Sequence, residues 1–163
     1  MLPVNERSPK RCNLSEKKQR ILYGCVLFFA MLDGVCKILA IHSELPLIHS
    51  YIFSVGYFAN PGIAFSIPLP QTFTLITTGT LIVGFSALLI QTKSSSLKIA
   101  LTTAILGASS NFIDRLLTGY TTDYFIFFTR SAINIADILI IIGIGYCTWY
   151  YQKADVKFEV KSY

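Results

Sequence analysis

Three aspartates stand within 24 residues of one another in settings where carboxylates are rare: Asp114 in "GASSNFIDR", Asp123 in "GYTTDYF" and Asp137 in "NIADILIIIG". Asn111 and Asn134 each precede an aspartate by three residues, a spacing that puts amide and carboxylate on one face of a helix, where the amide can donate a hydrogen bond. Asp33 and Lys37, four residues apart, interrupt another apolar run. Two carboxylates brought together in a poorly solvated site cannot both ionise and come to share a proton. One can then act as general base on a water while the other polarises a carbonyl, the division of labour of an aspartic protease. At this point all three aspartates are candidates for such a pair. Asp114 carries a second possibility, a buried pair with its neighbour Arg115, and Asp33 with Lys37 can be a structural ion pair pinning one helix. Other hydrolytic signatures are missing: the chain has no HExxH for zinc and no GxSxG elbow. His42 and His49, seven apart in a surface segment, read as structural or interfacial. A dyad of Ser109 or Ser110 with Lys37 is conceivable, but no spacing supports it.

The elements that must hold these groups follow from composition. Of 163 residues, 53% are hydrophobic and only 14% charged, against about 25% charged in a soluble domain, and the mean hydropathy is +0.55. Four windows, 21–41, 72–91, 97–117 and 132–151, each approach the roughly 20 apolar residues that carry a helix across about 30 Å of hydrocarbon. The expected fold class is therefore an all-α membrane protein with four transmembrane helices. Residues 1–20 form a basic tail, 21–151 the four-span domain and 152–163 a second tail. The segment 42–70 is rich in aromatic and β-branched residues with turn residues spaced through it, so a small β-like extracytoplasmic segment is expected there. Gly24 and Gly34, Gly79 and Gly84, and Gly143 and Gly145 fall within spans and are expected to let helices approach closely. The four cysteines, Cys12, Cys25, Cys36 and Cys147, form no CxxC pair, and neither disulfides nor zinc are expected.

The net charge of +5 marks topology rather than a nucleic-acid partner. Arg7, Lys10, Arg11, Lys17, Lys18 and Arg20 precede the first span, Lys93 and Lys98 flank the second connection, and Lys153, Lys157 and Lys161 lie in the C-terminal tail. The first connection has no Lys or Arg and the third has Arg130 alone. By the positive-inside rule both termini and the 92–96 turn are cytoplasmic. Asp33, Lys37, Asn111, Asp114, Arg115, Asp123, Asn134 and Asp137 then all fall within about 10 Å of the outer surface, at about 1.5 Å of rise per helical residue. Charged groups in a span cost about 2.5–3.5 kcal/mol each on insertion scales, so a cluster of them at one depth implies a site. A small ion-coupled transporter, the rival reading, would distribute acidic groups through the membrane depth.

The same residues carry a resemblance. "NPGIAFS" (Asn60 to Ser66), "GASSNFIDR" followed by "GYTTDYF", "NIAD" and the Asp-x-x-x-Lys of "LDGVCK" resemble, in order, the motifs of the bacterial lipoprotein signal peptidases (signal peptidase II), over about residues 30–145. The resemblance implies a membrane-embedded aspartyl endopeptidase of the bacterial inner membrane. It would remove signal peptides from prolipoproteins just before a diacylglyceryl-modified cysteine. The catalytic pair would be Asp123 and Asp137, with Asp114 and Arg115 a supporting pair. Asn60, Gly62, Asn111, Asn134, Asp33 and Lys37 would support the site, Asn60 and Arg115 touching substrate backbone. The 42–70 segment would form a cradle over a signal helix entering laterally. No metal or organic cofactor is implied. The expected partners are diacylated prolipoproteins, membrane lipids and cyclic peptide inhibitors such as globomycin, and the protein is expected to act as a monomer. Departures from the family pattern are Cys36, Ser110, Thr121-Thr122, Ile133 and a shorter stretch from Asp123 to Asn134, the last bearing on substrate preference. A catalytically silent lipoprotein-binding relative is the remaining alternative.

Overall fold

The structure, a computed structural model, describes residues 14–42, 50, 52–62, 69–128 and 131–159, the last six of these by backbone alone. Expectations placed on residues 1–13, His49, Ala64 to Ser66 and Arg130 lie outside the described residues. Four helices are joined by a small sheet: α1 (Glu16–Ile41), β1 (Phe53–Asn60), α2 (Gln71–Gln91), α3 (Ser95–Thr118), β2 (Thr121–Phe127), β3 (Ser131–Ile133) and α4 (Ile135–Glu159). Residues 16–20, read from sequence as tail, are the first turns of α1, and α4 runs eight residues past its expected end.

Three helices, α1, α2 and the Ile135–Lys153 part of α4, are long and apolar enough to cross a membrane. Their outward faces carry large apolar side chains that water would not tolerate together: Phe28, Phe29 and Met31 on α1, Ile76, Val83 and Ile90 on α2, Ile141 and Ile142 on α4. Of α2's residues only Thr74 is buried. The expected span 97–117 differs in kind. α3 is studded with Ser, Thr, Asn and charged residues and is not apolar enough by composition. The cause is its central place: it packs against α4, α2, α1 and β2 and buries ten residues, so its side chains meet protein rather than lipid.

Glycine permits that packing at two points only. A Cβ at Gly143 would lie 2.6 Å from the Ala100 carbonyl oxygen and 2.7 Å from the Ala104 nitrogen, and one at Gly107 would lie 2.5 Å from the Ala136 carbonyl oxygen. These two glycines bring the α3 and α4 backbones together. Gly24, Gly34, Gly84 and Gly145, expected to serve the same purpose, have open space beside them, and Gly79 meets only the Phe112 ring.

The sheet corrects the expected placing of β structure. β1 does come from the 42–70 segment, but it pairs antiparallel with β2, and β2 with β3, in the order β1-β2-β3. Two of the three strands thus come from the third connection, between α3 and α4. Strand formation satisfies its backbone polar groups, which neither lipid nor a protein interior would. β1 bulges between Val55 and Phe58, after which Phe58 faces Asp123 and Asn60 faces Thr121. Gly119 ends α3 in the left-handed conformation (φ 85°), its N–H returning to the Arg115 carbonyl at 3.1 Å. That turn sends the chain directly into β2, so Asp123 arrives beside the C-terminal end of α3.

Candidate active site

Asp123 sits on the central strand and is 1% exposed. Its Oδ1 accepts a hydrogen bond from Asn134 Nδ2 at 2.7 Å and its Oδ2 one from Asn60 Nδ2 at 2.8 Å. Burial pushes this carboxyl up from an ordinary 3.8 to about 7. The Asn60 hydrogen bond opposes the rise, the charge of Asp137 adds to it, and Lys37 and Arg115 oppose it further.

Asp137 lies in the first turn of α4 and is half-buried. Its Oδ1 accepts from Asn111 Nδ2 at 2.7 Å and its Oδ2 from the Asn134 backbone N–H at 3.2 Å, while its own N–H donates to Asn134 Oδ1 at 2.8 Å. Asn134 and Asp137 thereby cap one another across the start of the helix, as in a capping box. Asn134 is fully buried and serves both aspartates: its backbone and side-chain oxygen engage Asp137, its Nδ2 engages Asp123. Asn111 completes a second bridge, its Oδ1 accepting from Asn134 Nδ2 at 3.0 Å and from Lys37 Nζ at 2.9 Å.

Lys37 supplies the positive charge beneath the site. Its Nζ lies 3.0 Å from Asp33 Oδ2 and 3.0 Å from Asp114 Oδ2, and donates to Ser110 Oγ at 2.7 Å. The i,i+4 pair of α1 is therefore present, but it is one arm of a wider junction. The expected Asp114–Arg115 pair is replaced: Asp114 turns to Lys37 and accepts the Thr122 N–H at 3.1 Å, which tethers β2 to α3. Arg115 reaches the other way, donating from Nη2 to the Gly62 carbonyl at 3.0 Å. Consecutive helix residues point about 100° apart, so Asp114 and Arg115 serve different neighbours. Gly62 is held from both sides, since its N–H donates to Asn60 Oδ1 at 3.0 Å. The described partners of Asn60 and Arg115 are thus Asp123 and the Gly62 backbone.

Ser110 does come within reach of Lys37, as a Ser–Lys dyad would need. Its hydroxyl, however, donates to Asp33 Oδ2 at 2.6 Å, and Lys37 is shared between two carboxylates. The serine proton points at a carboxylate, and an ammonium held between two carboxylates has no lone pair to accept a proton, which disarms both as nucleophile and base.

Two participants escaped the sequence reading. Tyr124 is 1% exposed and donates to Asp33 Oδ1 at 2.9 Å. The Thr122 backbone accepts from Asn134 Nδ2 at 3.3 Å as well as donating to Asp114. Neither left a signal in the sequence, because Tyr124 opens the apolar aromatic run 124–128 and Thr122 acts through its backbone.

Residues 25–152 match the family described as Signal peptidase (SPase) II. The chain belongs to the signal peptidase II family. Among curated relatives named lipoprotein signal peptidase, that of Shouchella clausii is 36% identical over 132 residues, covering 76% of this chain and 87% of the relative. That of Halothermothrix orenii is 28% identical over 142 residues, covering 83% and 97%. The Streptococcus agalactiae protein is 38% identical over 122 residues, covering 69% and 79%. A bacterial membrane enzyme solved by the in meso method superposes with a TM-score of 0.68 at 22% identity, covering 86% of this chain and 91% of that one, which supports the fold. This signal peptidase II family member is thus a bacterial membrane protein and a peptidase by membership, and its polar network draws side chains or backbone from α1, α3, the start of α4 and the sheet.

Proposed function

We propose that the protein is an aspartyl endopeptidase that removes signal peptides from prolipoproteins, cleaving before a diacylglyceryl-modified cysteine, with Asp123 and Asp137 as the catalytic pair. The observation that carries this is the convergence of both carboxylates on Asn134, one from a strand of the third connection and one from the helix that follows it. The rise of Asp123 to about 7 supports one neutral and one ionised carboxyl at neutral pH.

In the reaction the ionised carboxylate takes a proton from a water, whose oxygen attacks the carbonyl carbon preceding the lipidated cysteine. The neutral carboxyl donates its proton toward the carbonyl oxygen. On collapse of the tetrahedral intermediate the C–N bond breaks and a proton passes to the departing amine. Asn60, Asn111 and Asn134 hold the carboxyl oxygens, while Lys37 sits between Asp33 and Asp114 behind them. Arg115 with Gly62 fixes the chain next to the site, where the remaining 42–70 residues would form the cradle over the substrate. A signal helix would enter laterally between spans.

On this reading α3 is the fourth span, its polar side chains covered by its neighbours, and both termini face the cytoplasm. The distribution of basic residues supports that orientation. Diacylated prolipoproteins, membrane lipids and cyclic peptides such as globomycin are the partners, and a single copy suffices for the chemistry, since one chain contains the whole pair. Incubating the purified protein with a diacylated prolipoprotein tests the reading. A product shortened by the signal peptide is expected; an uncut diacylated substrate under conditions where a related enzyme cuts it would overturn the assignment. A cysteine placed at Ser50 should be labelled from the outer side and one at Ser95 should not; the reverse pattern would overturn the orientation.

A further inference from the structure

The first turn of α4 is capped from outside itself. The N–H groups of Ile135 and Ala136 have no partner within their own helix, as at any helix start. The Ile135 N–H donates to Tyr124 Oη at 3.0 Å, and the Ala136 N–H to Asp33 Oδ1 at 3.0 Å. The Tyr124 hydroxyl in turn donates to the same Asp33 oxygen at 2.9 Å. Asp33 is fully buried and its other oxygen receives Ser110 Oγ and Lys37 Nζ. A strand, two helices and the start of a third meet at one carboxylate.

The position of this junction gives it a consequence for the reaction. Tyr124 follows Asp123 directly, and Ile135 and Ala136 directly precede Asp137. β2 therefore reaches α4 through two successive residues, Asp123 through Asn134 and Tyr124 through Ile135. The first link involves reacting groups; the second does not. A phenol ring is a rigid spacer with only two side-chain torsions, and the Phe125 ring packs on it edge-on at 4.9 Å between centroids. We infer that Tyr124, acting with Asp33, is a positioning residue that sets the separation of the Asp123 and Asp137 carboxyls by fixing strand β2 against the first turn of α4. This rests on those two residues being the catalytic pair.

Phenylalanine at 124 would fill the same volume and lose both hydrogen bonds, leaving the Ile135 N–H unpaired. The charged groups that face the pair from the packed elements are Asp33 and Lys37 on α1 and Asp114 and Arg115 on α3, and Tyr124→Phe leaves all four in place. In the full chain, with diacylated prolipoprotein as substrate, Tyr124→Phe should lower kcat on the order of 10-fold or more, because sub-ångström misplacement of reacting groups acts on the chemical step, and leave KM unchanged. The two limbs of the bell-shaped pH–rate profile should also move toward each other, since two carboxyls held farther apart share a proton less strongly. Ile135→Pro, which removes the N–H that Tyr124 Oη accepts, leaves all four charges in place and suits the first helical position, provides a second route if Tyr124→Phe does not fold. It should likewise narrow the profile, and the double variant should be no slower than the slower single variant. Wild-type kcat and limbs in folded Tyr124→Phe, or a parallel displacement of both limbs without narrowing in either variant, would overturn the inference. Failure of the catalytic pair itself is read separately, as surviving cleavage in Asp137→Asn.

Discussion

Replacing Asp123 by asparagine separates what this residue does for the reaction from what it does to the fold. Its carboxyl titrates near 7 in the folded protein against 3.8 ordinarily, because it is buried. A carboxyl whose folded value is raised binds its proton more tightly in the folded state. The stability gained that way is fully present below about 3.8 and is lost as pH rises through about 7. Three units at about 1.4 kcal/mol each make roughly 4 kcal/mol the upper bound of the penalty for ionised Asp123 above neutrality. Asparagine removes that penalty but sets its own N–H₂ against one of two donors, Asn60 Nδ2 or Asn134 Nδ2, costing about 1–3 kcal/mol. The variant should therefore be more stable than the wild type by about 1–3 kcal/mol at pH 8.5, or roughly 2–12 °C in Tm at 2–4 °C per kcal/mol. At pH 5 it should be equal or slightly less stable. Thermal unfolding in detergent micelles, followed by intrinsic fluorescence at both pH values, measures the difference. A Tm difference that does not grow with pH would refute the assignment of a strained, buried carboxyl at 123.

Two other substitutions probe the frame around the pair. Asp114→Asn removes the charge facing Lys37 while keeping an oxygen for the Thr122 N–H; as its side chain is 20% exposed, a loss of about 2 kcal/mol is expected, seen as a lower Tm with residual cleavage in the folded fraction. Full stability with no cleavage would instead place Asp114 among the reacting groups. Gly143→Ala drives a Cβ into the α3 backbone and should cost about 1–3 kcal/mol, whereas Gly145→Ala, with open space beside it, should change Tm by less than the equivalent of about 0.5 kcal/mol. Equal effects at the two glycines would contradict the close α3–α4 approach.

The helices and the grouping of the charged residues were legible because the bilayer forces long apolar runs and makes each charge conspicuous. Lys37 and Asp114 were read as belonging to the site for that reason, without their being read as partners. Their pairing spans 77 residues of sequence, and an adjacent Arg115 offered a nearer partner that helix geometry turns away. β2 and β3 were hidden because an apolar aromatic run such as "YFIFF" looks the same whether it faces lipid, protein or a neighbouring strand. Tyr124 was hidden by the same run, as its hydroxyl has meaning only once Asp33 and the start of α4 are adjacent. The glycines were over-read: in a lipid-facing helix a glycine often borders nothing, and only contact distances separate Gly107 and Gly143 from the rest.

Cleavage of a diacylated prolipoprotein by the Asp123→Asn and Asp137→Asn variants, assayed beside binding of the same substrate, tests the paired-carboxylate chemistry most directly. Each substitution keeps side-chain size but removes an acid or a base, so each should lower the rate by orders of magnitude while the substrate still binds. Cleavage at near wild-type rate by either folded variant would contradict it.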